Sequence, residues 1–443
     1  MTALNGTPRR KRDAMGVGLA VLTRLAGSKA LDRAGLRQPV QALLSSTTRT
    51  GFRAAGATGR GFKSVARAGK PARPAAPVDQ GLFDLTPTDE QQLIVETVAE
   101  FAAEQVRPAA AEADVKLSPP DGLISRAAEL GVTQIGIPEE LGGAGTERSV
   151  VTGALIAEAL AHGDLGLAVA VLAPSAVSTA LVLWGDGQQQ ADYLPAFVGD
   201  HVPAAAFALQ EAKPLFDPFQ PATRARRTPS GYRLDGVKSL VPRAAQAELF
   251  VVSAMLEGRG PALFLIESST AGLTVSPEPA MGLRGAATGK VHLENVRVPA
   301  GSLLGSPETF PDAVRLSRLG WAALAAGTAK AVLDYVTPYV NERTAFGEPI
   351  SHRQAVAFSV ADIAIELEGM RLVTLRAAAR AEQGKPYARE VALARKLATD
   401  KGMRIGSAGV QLLGGHGYTK EHPVERWYRD LRAIGIAEGV VLL

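Results

Sequence analysis

The sequence predicts an α+β chain: a helical N-terminal domain, a small middle β-barrel or sandwich, and a C-terminal four-helix bundle. Three observations carry that expectation. Apolar residues recur at helical spacing through much of residues 85–202. Short runs rich in β-branched and aromatic residues, parted by Gly, Pro and Asp, fill residues 203–305. Long helical patterns with short loops occupy residues 306–443. Residues 1–84 stand apart as a basic extension and linker. The β–α–β alternation of a dinucleotide-binding sheet is missing, so the glycine runs at 282–289 and 414–417 are weak evidence for a G-x-G-x-x-G turn.

Each element rests on a local signal. Thr86-Pro87-Thr88-Asp89 reads as a helix start, with Thr86 as cap, Pro at the first helical position and an acid two residues on. Leu93, Ile94, Val98 and Phe101 follow at helical spacing. Residues 123–130, 150–161, 165–184 and 191–198 are further helices, and Ile137–Gly145 is a glycine-punctuated loop. In the middle part, residues 232–234 lead to a turn at Asp235-Gly236, then a strand over 237–241. Residues 249–254, 262–266, 273–275 and 291–298 are the remaining short strands, suggesting an antiparallel arrangement. Residues 312–340, 354–382 and 389–413 are the long helices of the bundle.

Composition narrows the function classes. The chain has no cysteine, which removes disulfides, thiolate metal sites and a cysteine nucleophile together. No metal ligand set is expected. No uncharged apolar run is read as reaching the 18 or so residues of a membrane span, so the chain reads as soluble. Residues 1–80 hold 15 Lys/Arg against 3 Asp/Glu, while the remainder holds 33 against 41. The front is therefore a basic arm on a mildly acidic body. It reads as a tail without a fixed fold, as a transit peptide, or as an arm that docks on anionic lipid or a partner. Location follows the same choice: cytoplasmic, or the mitochondrial matrix if the arm is a transit peptide. No nucleic-acid pattern accompanies the charge.

The most specific segment runs Gln411-Leu412-Leu413-Gly414-Gly415-His416-Gly417-Tyr418, through Pro423-Val424-Glu425-Arg426 and Arg429-Asp430, to Ala437-Glu438-Gly439. A long helix is broken by a glycine knot and then resumes. Glycines let the main chain approach a large ligand, and amides at a helix restart suit a pyrophosphate. By composition it is also a glycine-rich helix turn carrying surface ion pairs.

The segment resembles the C-terminal signature of the acyl-CoA dehydrogenase family, and the resemblance spans roughly residues 85–443. Residues 341–350 followed by Gln354, residues 281–284, 294–299 and 137–145 are similar to further motifs of that family. The resemblance implies FAD bound where subunits meet, in a homodimer or homotetramer or in a mixed oligomer. It implies that Arg343, Phe346 and Gln354, with Gln411 and Gly415, hold the pyrophosphate and adenosine side. Leu209, Gln210 and Val241 would face the flavin ring. Glu438 would be the base that takes the α-proton of an acyl-CoA, with hydride passing to flavin N5. A carboxylate in a water-poor pocket suits that work. The family's donors to the thioester carbonyl are the glutamate's own main-chain N–H and a flavin ribityl hydroxyl. Arg318 and Phe216 would lie at the substrate. The family's alternative base position is Ser317 here, which cannot serve. An electron-transfer flavoprotein is the implied acceptor.

Several positions depart from the family pattern. Gln210 stands for a threonine, Leu215-Phe216 for a Gly-Ser pair, and Leu240-Val241-Pro242 for Trp-Ile-Thr. Ala437 replaces a residue that is often aromatic, and Val440 replaces a threonine. A reshaped pocket favouring a long or bulky acyl group is one consequence. A half-site or non-catalytic subunit, or a same-fold oxidase, are the other readings.

Overall fold

The computed structural model describes residues 85–134, 136–143, 148–198 and 201–443. The basic arm lies outside the described residues. The first helix, α1 (Asp89–Phe101), starts at Thr88 rather than Thr86. Thr88 Oγ1 accepts the Gln91 N–H at 3.2 Å, and Gln91 Oε1 accepts the Thr88 N–H at 3.0 Å. That reciprocal cap satisfies two main-chain donors at once and outweighs the Pro87 signal. A π-helical turn (Ala102–Val106) leads into α2 (Arg107–Lys116); α3 (Leu123–Glu129), α4 (Val150–Gly163), α5 (Leu165–Trp184) and α6 (Gly187–Phe197) follow.

Helix α5 corrects the membrane-length reading. It is a 20-residue uncharged helix with a mean hydropathy of 2.0, long enough to cross a bilayer. Its most apolar window is 89% buried inside the fold, so it is the central helix of a protein core. Apolar character on every face is what a helix surrounded by other elements requires.

The middle part holds β1 (Ala205–Ala208), β2 (Arg224–Thr228), β3 (Gly231–Val241), β4 (Leu249–Leu256), β5 (Gly260–Glu267), β6 (Leu273–Pro277), β7 (Gly289–Pro299) and β8 (Leu303–Leu304). They pair in the order β6-β7-β3-β2-β4-β5-β8, with β1 also on β4. Two points differ from the sequence reading. The sheet is mixed, because β1 and β2 both run parallel to β4. Asp235-Gly236 is a bulge inside one continuous strand, where the β3–β7 register shifts between Leu234 and Gly236. A Cβ at Gly236 would lie 2.6 Å from Thr223 Oγ1, so only glycine allows the strands to close there. Strand β2, Arg-Ala-Arg-Arg-Thr, escapes sequence reading because only Ala225 is buried.

Helices α7 (Phe310–Glu342), α8 (Gln354–Glu382), α9 (Ala388–Leu413) and α10 (Val424–Ala433) form the C-terminal bundle. Helix α7 packs broadly on α9 and α8, and also on α4 of the N-terminal part. One apolar core therefore runs through both helical parts, from Val98 to Leu443. The sheet has a second core of its own, around Phe250, Phe264 and Tyr232. Strand β1 gives Phe207 to the first core and Ala206 and Ala208 to the second, and the segment carrying Glu438 lies against it.

Candidate active site

The charged motif after the glycine knot first fixes helix α10. Arg429 Nη1 donates to Asp114 Oδ1 at 2.7 Å, and its Nε donates to Glu425 Oε2 at 2.7 Å. Arg426 Nε donates to Asp164 Oδ2 at 2.9 Å. Asp430 Oδ1 accepts the Leu283 N–H at 2.7 Å. Burial, together with the neighbouring Asp164, pushes the Asp430 carboxyl up to about 7. These residues tie α10 to the end of α2, the start of α5 and the Leu283 turn. They set where the chain after α10 must run.

That following segment, Ala437–Leu443, is buried throughout. Gly439 adopts φ +79°, and a Cβ there would stand 2.5 Å from the Leu209 Cβ. The Gly439 carbonyl accepts from Ser317 Oγ at 2.8 Å and from Trp321 Nε1 at 2.9 Å, both on α7. The Val440 N–H donates to the Phe207 carbonyl of β1 at 3.2 Å. The peptide carrying Glu438 is thus held between α7 and β1, the junction of the two cores. Ser317, the other position considered for a base, is occupied in holding it.

The Glu438 carboxylate is nearly enclosed, its side chain 10% exposed. Arg318 Nε donates to Oε1 and Oε2 at 3.0 Å each, and Arg318 Nη2 donates to Oε1 at 2.7 Å. Arg395 of α9 stands 3.7 Å from Oε1 and donates to the Ala437 carbonyl at 2.5 Å. Burial holds the Arg395 guanidinium down to about 10, with Glu438 pulling the other way. Its Nη1 is buried without a hydrogen-bond partner. Two guanidiniums therefore face one carboxylate, and they load its oxygens unequally. Oε1 takes most of the contacts, and Oε2 takes one. Arg395 carried no sequence signal, because it lies inside an ordinary helical pattern. The Phe219 ring lies 5.7 Å from the Arg318 guanidinium, and the half-buried Phe216 stands three residues before it in the same loop.

Behind Glu438 lies the end of β1. Leu209 and Val241 are buried, as is Gln210. Gln210 Oε1 accepts the Glu438 main-chain N–H at 3.1 Å, and its Nε2 donates to the Glu211 carbonyl at 3.3 Å. Next to it, Lys238 Nζ, fully buried, meets Glu211 Oε1 and Ser253 Oγ at 2.8 Å each. Glu211 also accepts from Ala222 N, Thr223 N and Thr223 Oγ1. Leu240 sits at φ +52°, and its N–H donates to Glu278 Oε2 at 2.7 Å.

A second site lies on the surface of the bundle. A cavity of about 560 Å³ is lined by Arg343, Phe346, Gln411 and Gly415, with Arg353 and His416 beside them. Gln354 starts α8 just beyond and is exposed. Phe346 is 95% exposed in a left-handed conformation, its ring 5.4 Å from the Arg353 guanidinium. Open space surrounds Gly414 and Gly415, so a phosphate can approach their main chain. Cationic side chains, an amide and bare glycines form a donor set that fits a pyrophosphate.

A helical domain, a mixed sheet and a helical bundle thus surround one nearly enclosed carboxylate. Family models for acyl-CoA dehydrogenases match as N-terminal domain over residues 88–200, middle domain over 206–296 and C-terminal domain over 311–440. The short-chain specific acyl-CoA dehydrogenase, mitochondrial, of Bos taurus is 33% identical over 79% of this chain and 87% of its own. Butyryl-CoA dehydrogenase from Megasphaera elsdenii is 31% identical at a TM-score of 0.74, covering 81% of this chain and 96% of that one. A chain described as "Electron transferring flavoprotein of Acidaminococcus fermentans: Towards a mechanism of flavin-based electron bifurcation" is 32% identical, also at 0.74, covering 81% and 96%. The chain belongs to the acyl-CoA dehydrogenase family. It is an FAD-dependent enzyme that dehydrogenates acyl-CoA thioesters.

Proposed function

We propose that Glu438 is the base of this reaction and that Oε2 is the atom that takes the α-proton. The observation that carries this is the unequal loading of the carboxylate. Oε1 is taken up by Arg318 and Arg395, leaving Oε2 with a single contact. The α C–H bond breaks toward Oε2, its electron pair becomes the new C=C bond, and the β-hydrogen departs as hydride. FAD supplies the hydride acceptor. Arg318 and Arg395 hold the carboxylate in one orientation, so that proton transfer starts from a fixed geometry.

Arg343, Phe346, Gln411 and Gly415 would hold the adenosine and pyrophosphate side, with Gln354 nearby. The exposure of Phe346 supports a neighbouring chain covering this cavity, in a homodimer, a homotetramer or a mixed oligomer. Leu209, Gln210 and Val241 would sit at the ring. An electron-transfer flavoprotein is the proposed acceptor, and the cytoplasm or the mitochondrial matrix the proposed location. Purified protein should show a flavin spectrum that bleaches anaerobically with acyl-CoAs taken from a panel running from butyryl- to palmitoyl-CoA. A colourless protein, or one that no member of the panel bleaches, would overturn the reading.

Arg343→Ala is expected to at least halve FAD per chain, because charge-assisted contacts to phosphate are among the stronger hydrogen bonds. Absorbance of gel-filtered protein measures it. Full occupancy would remove Arg343 from the cofactor site. A chain beginning at Gln80 should keep its flavin, since the described core starts at Val98. Loss of flavin on that truncation would show that the extension completes the site.

A further inference from the structure

We propose that Gln210 is a specificity-determining gate on the thioester carbonyl: its side-chain Oε1 holds the Glu438 main-chain N–H until a substrate carbonyl replaces it. This rests on the reading of Glu438 and its N–H given above. The N–H is fixed from both sides. The carbonyl of the same peptide group, Ala437, accepts from Arg395, the Glu438 side chain is held by Arg318 and Arg395, and the Gly439 carbonyl by Ser317 and Trp321. The peptide cannot turn to find another acceptor, and a buried main-chain donor needs one.

Gln210 supplies it at 3.1 Å. The main chain of Gln210 is itself pinned, because its carbonyl accepts the Ser239 N–H at 2.9 Å. Only the Gln210 side chain can yield, and its second contact, to the Glu211 carbonyl at 3.3 Å, is a long one. A threonine at this position would carry its hydroxyl two bonds nearer the main chain, so the reach to the Glu438 N–H comes with glutamine.

Two consequences follow from exchanging one neutral acceptor for another. Binding of the thioester carbonyl gains little, because the N–H gives up a bond to make one. The bond strengthens as negative charge grows on the oxygen during α-proton removal, since charge-assisted bonds are the stronger kind. Because the Gln210 bond is lost before the chemical step, its cost falls on the bound substrate and the transition state alike, a pattern that raises KM and leaves kcat much less changed.

Calorimetric titration of the FAD-loaded protein tests this with two ligands that are not turned over under argon: a 2-enoyl-CoA, which carries the thioester carbonyl, and the S-alkyl-CoA thioether of equal chain length, which lacks it. The wild-type protein should bind the two within about threefold. Gln210→Thr, and Gln210→Met as a variant of similar size without the acceptor, should each tighten the thioester about tenfold, the worth of one hydrogen bond, and change the thioether less than twofold. In turnover, KM should fall by a similar factor, more than kcat changes. If both variants leave the thioester-to-thioether ratio unchanged, the gate is overturned. Glu438→Gln keeps the main-chain N–H, so its titration separates the two readings. Retained bleaching in that variant would remove the base while leaving the ratio test intact.

Discussion

Glu438→Gln is expected to slow anaerobic bleaching by a good acyl-CoA about 10²- to 10⁴-fold, the usual contribution of a positioned general base. The substitution keeps the shape of the side chain and one oxygen for the Arg318 fork. The Glu438 N–H is held by Gln210 and the following Gly439 carbonyl by Ser317 and Trp321, none of which depends on the carboxylate. FAD content should therefore stay near that of the parent, and the loss should appear in the chemical step alone. Single-turnover bleaching followed at the flavin absorbance band reads it. A variant that bleaches within tenfold of the parent rate would exclude Glu438 as the base.

The largest stability effect is expected at Lys238. Its ammonium is fully buried against Glu211, which is itself 5% exposed. Removing one partner of such a pair strands a charge, a cost of about 3–5 kcal/mol. Lys238→Met should lower Tm accordingly. Lys238→Met with Glu211→Gln should recover part of the loss, since the double variant leaves no buried charge and the one amide oxygen can still accept from Thr223. A single variant within about 1 kcal/mol of the parent would show that the pair is not a stabilising contact.

The same group sets a pH dependence. Burial, opposed by Glu211, lowers the Lys238 amine to about 8 from its ordinary value of 10.5. Between those values the unfolded chain binds a proton that the folded chain has released. This group's contribution to stability therefore rises with pH across that window and is absent below it. The parent should show a more positive stability slope than Lys238→Met between pH 8 and 10, measured by urea unfolding.

Much of the architecture was legible because helical periodicity is a local signal. The patterns at 165–184 and 354–382 became helices with those bounds. Strand β2 was not legible, because its arginines face solvent and its place depends on pairing with β3 and β4. The parallel pairings were hidden for the same reason: a run of residues carries no mark of the direction of its neighbour. The Asp235-Gly236 turn was misread because a glycine that lets a strand bulge against Thr223 has the same local chemistry as one that lets the chain reverse.

The sequence by itself determined the order of helix, strand and helix and the placing of Glu438 beyond a glycine knot, for which spacing along the chain is enough; the family and its cofactor came through the resemblance of its motifs. The tertiary structure alone decided what surrounds Glu438. Arg318 stands 120 residues away in sequence and Gln210 stands 228 away, and Arg395 shows no motif at all. Their meeting depends on how α7, α9 and β1 pack around one segment, and packing is set by the summed shape of the two cores, which no short stretch of sequence contains.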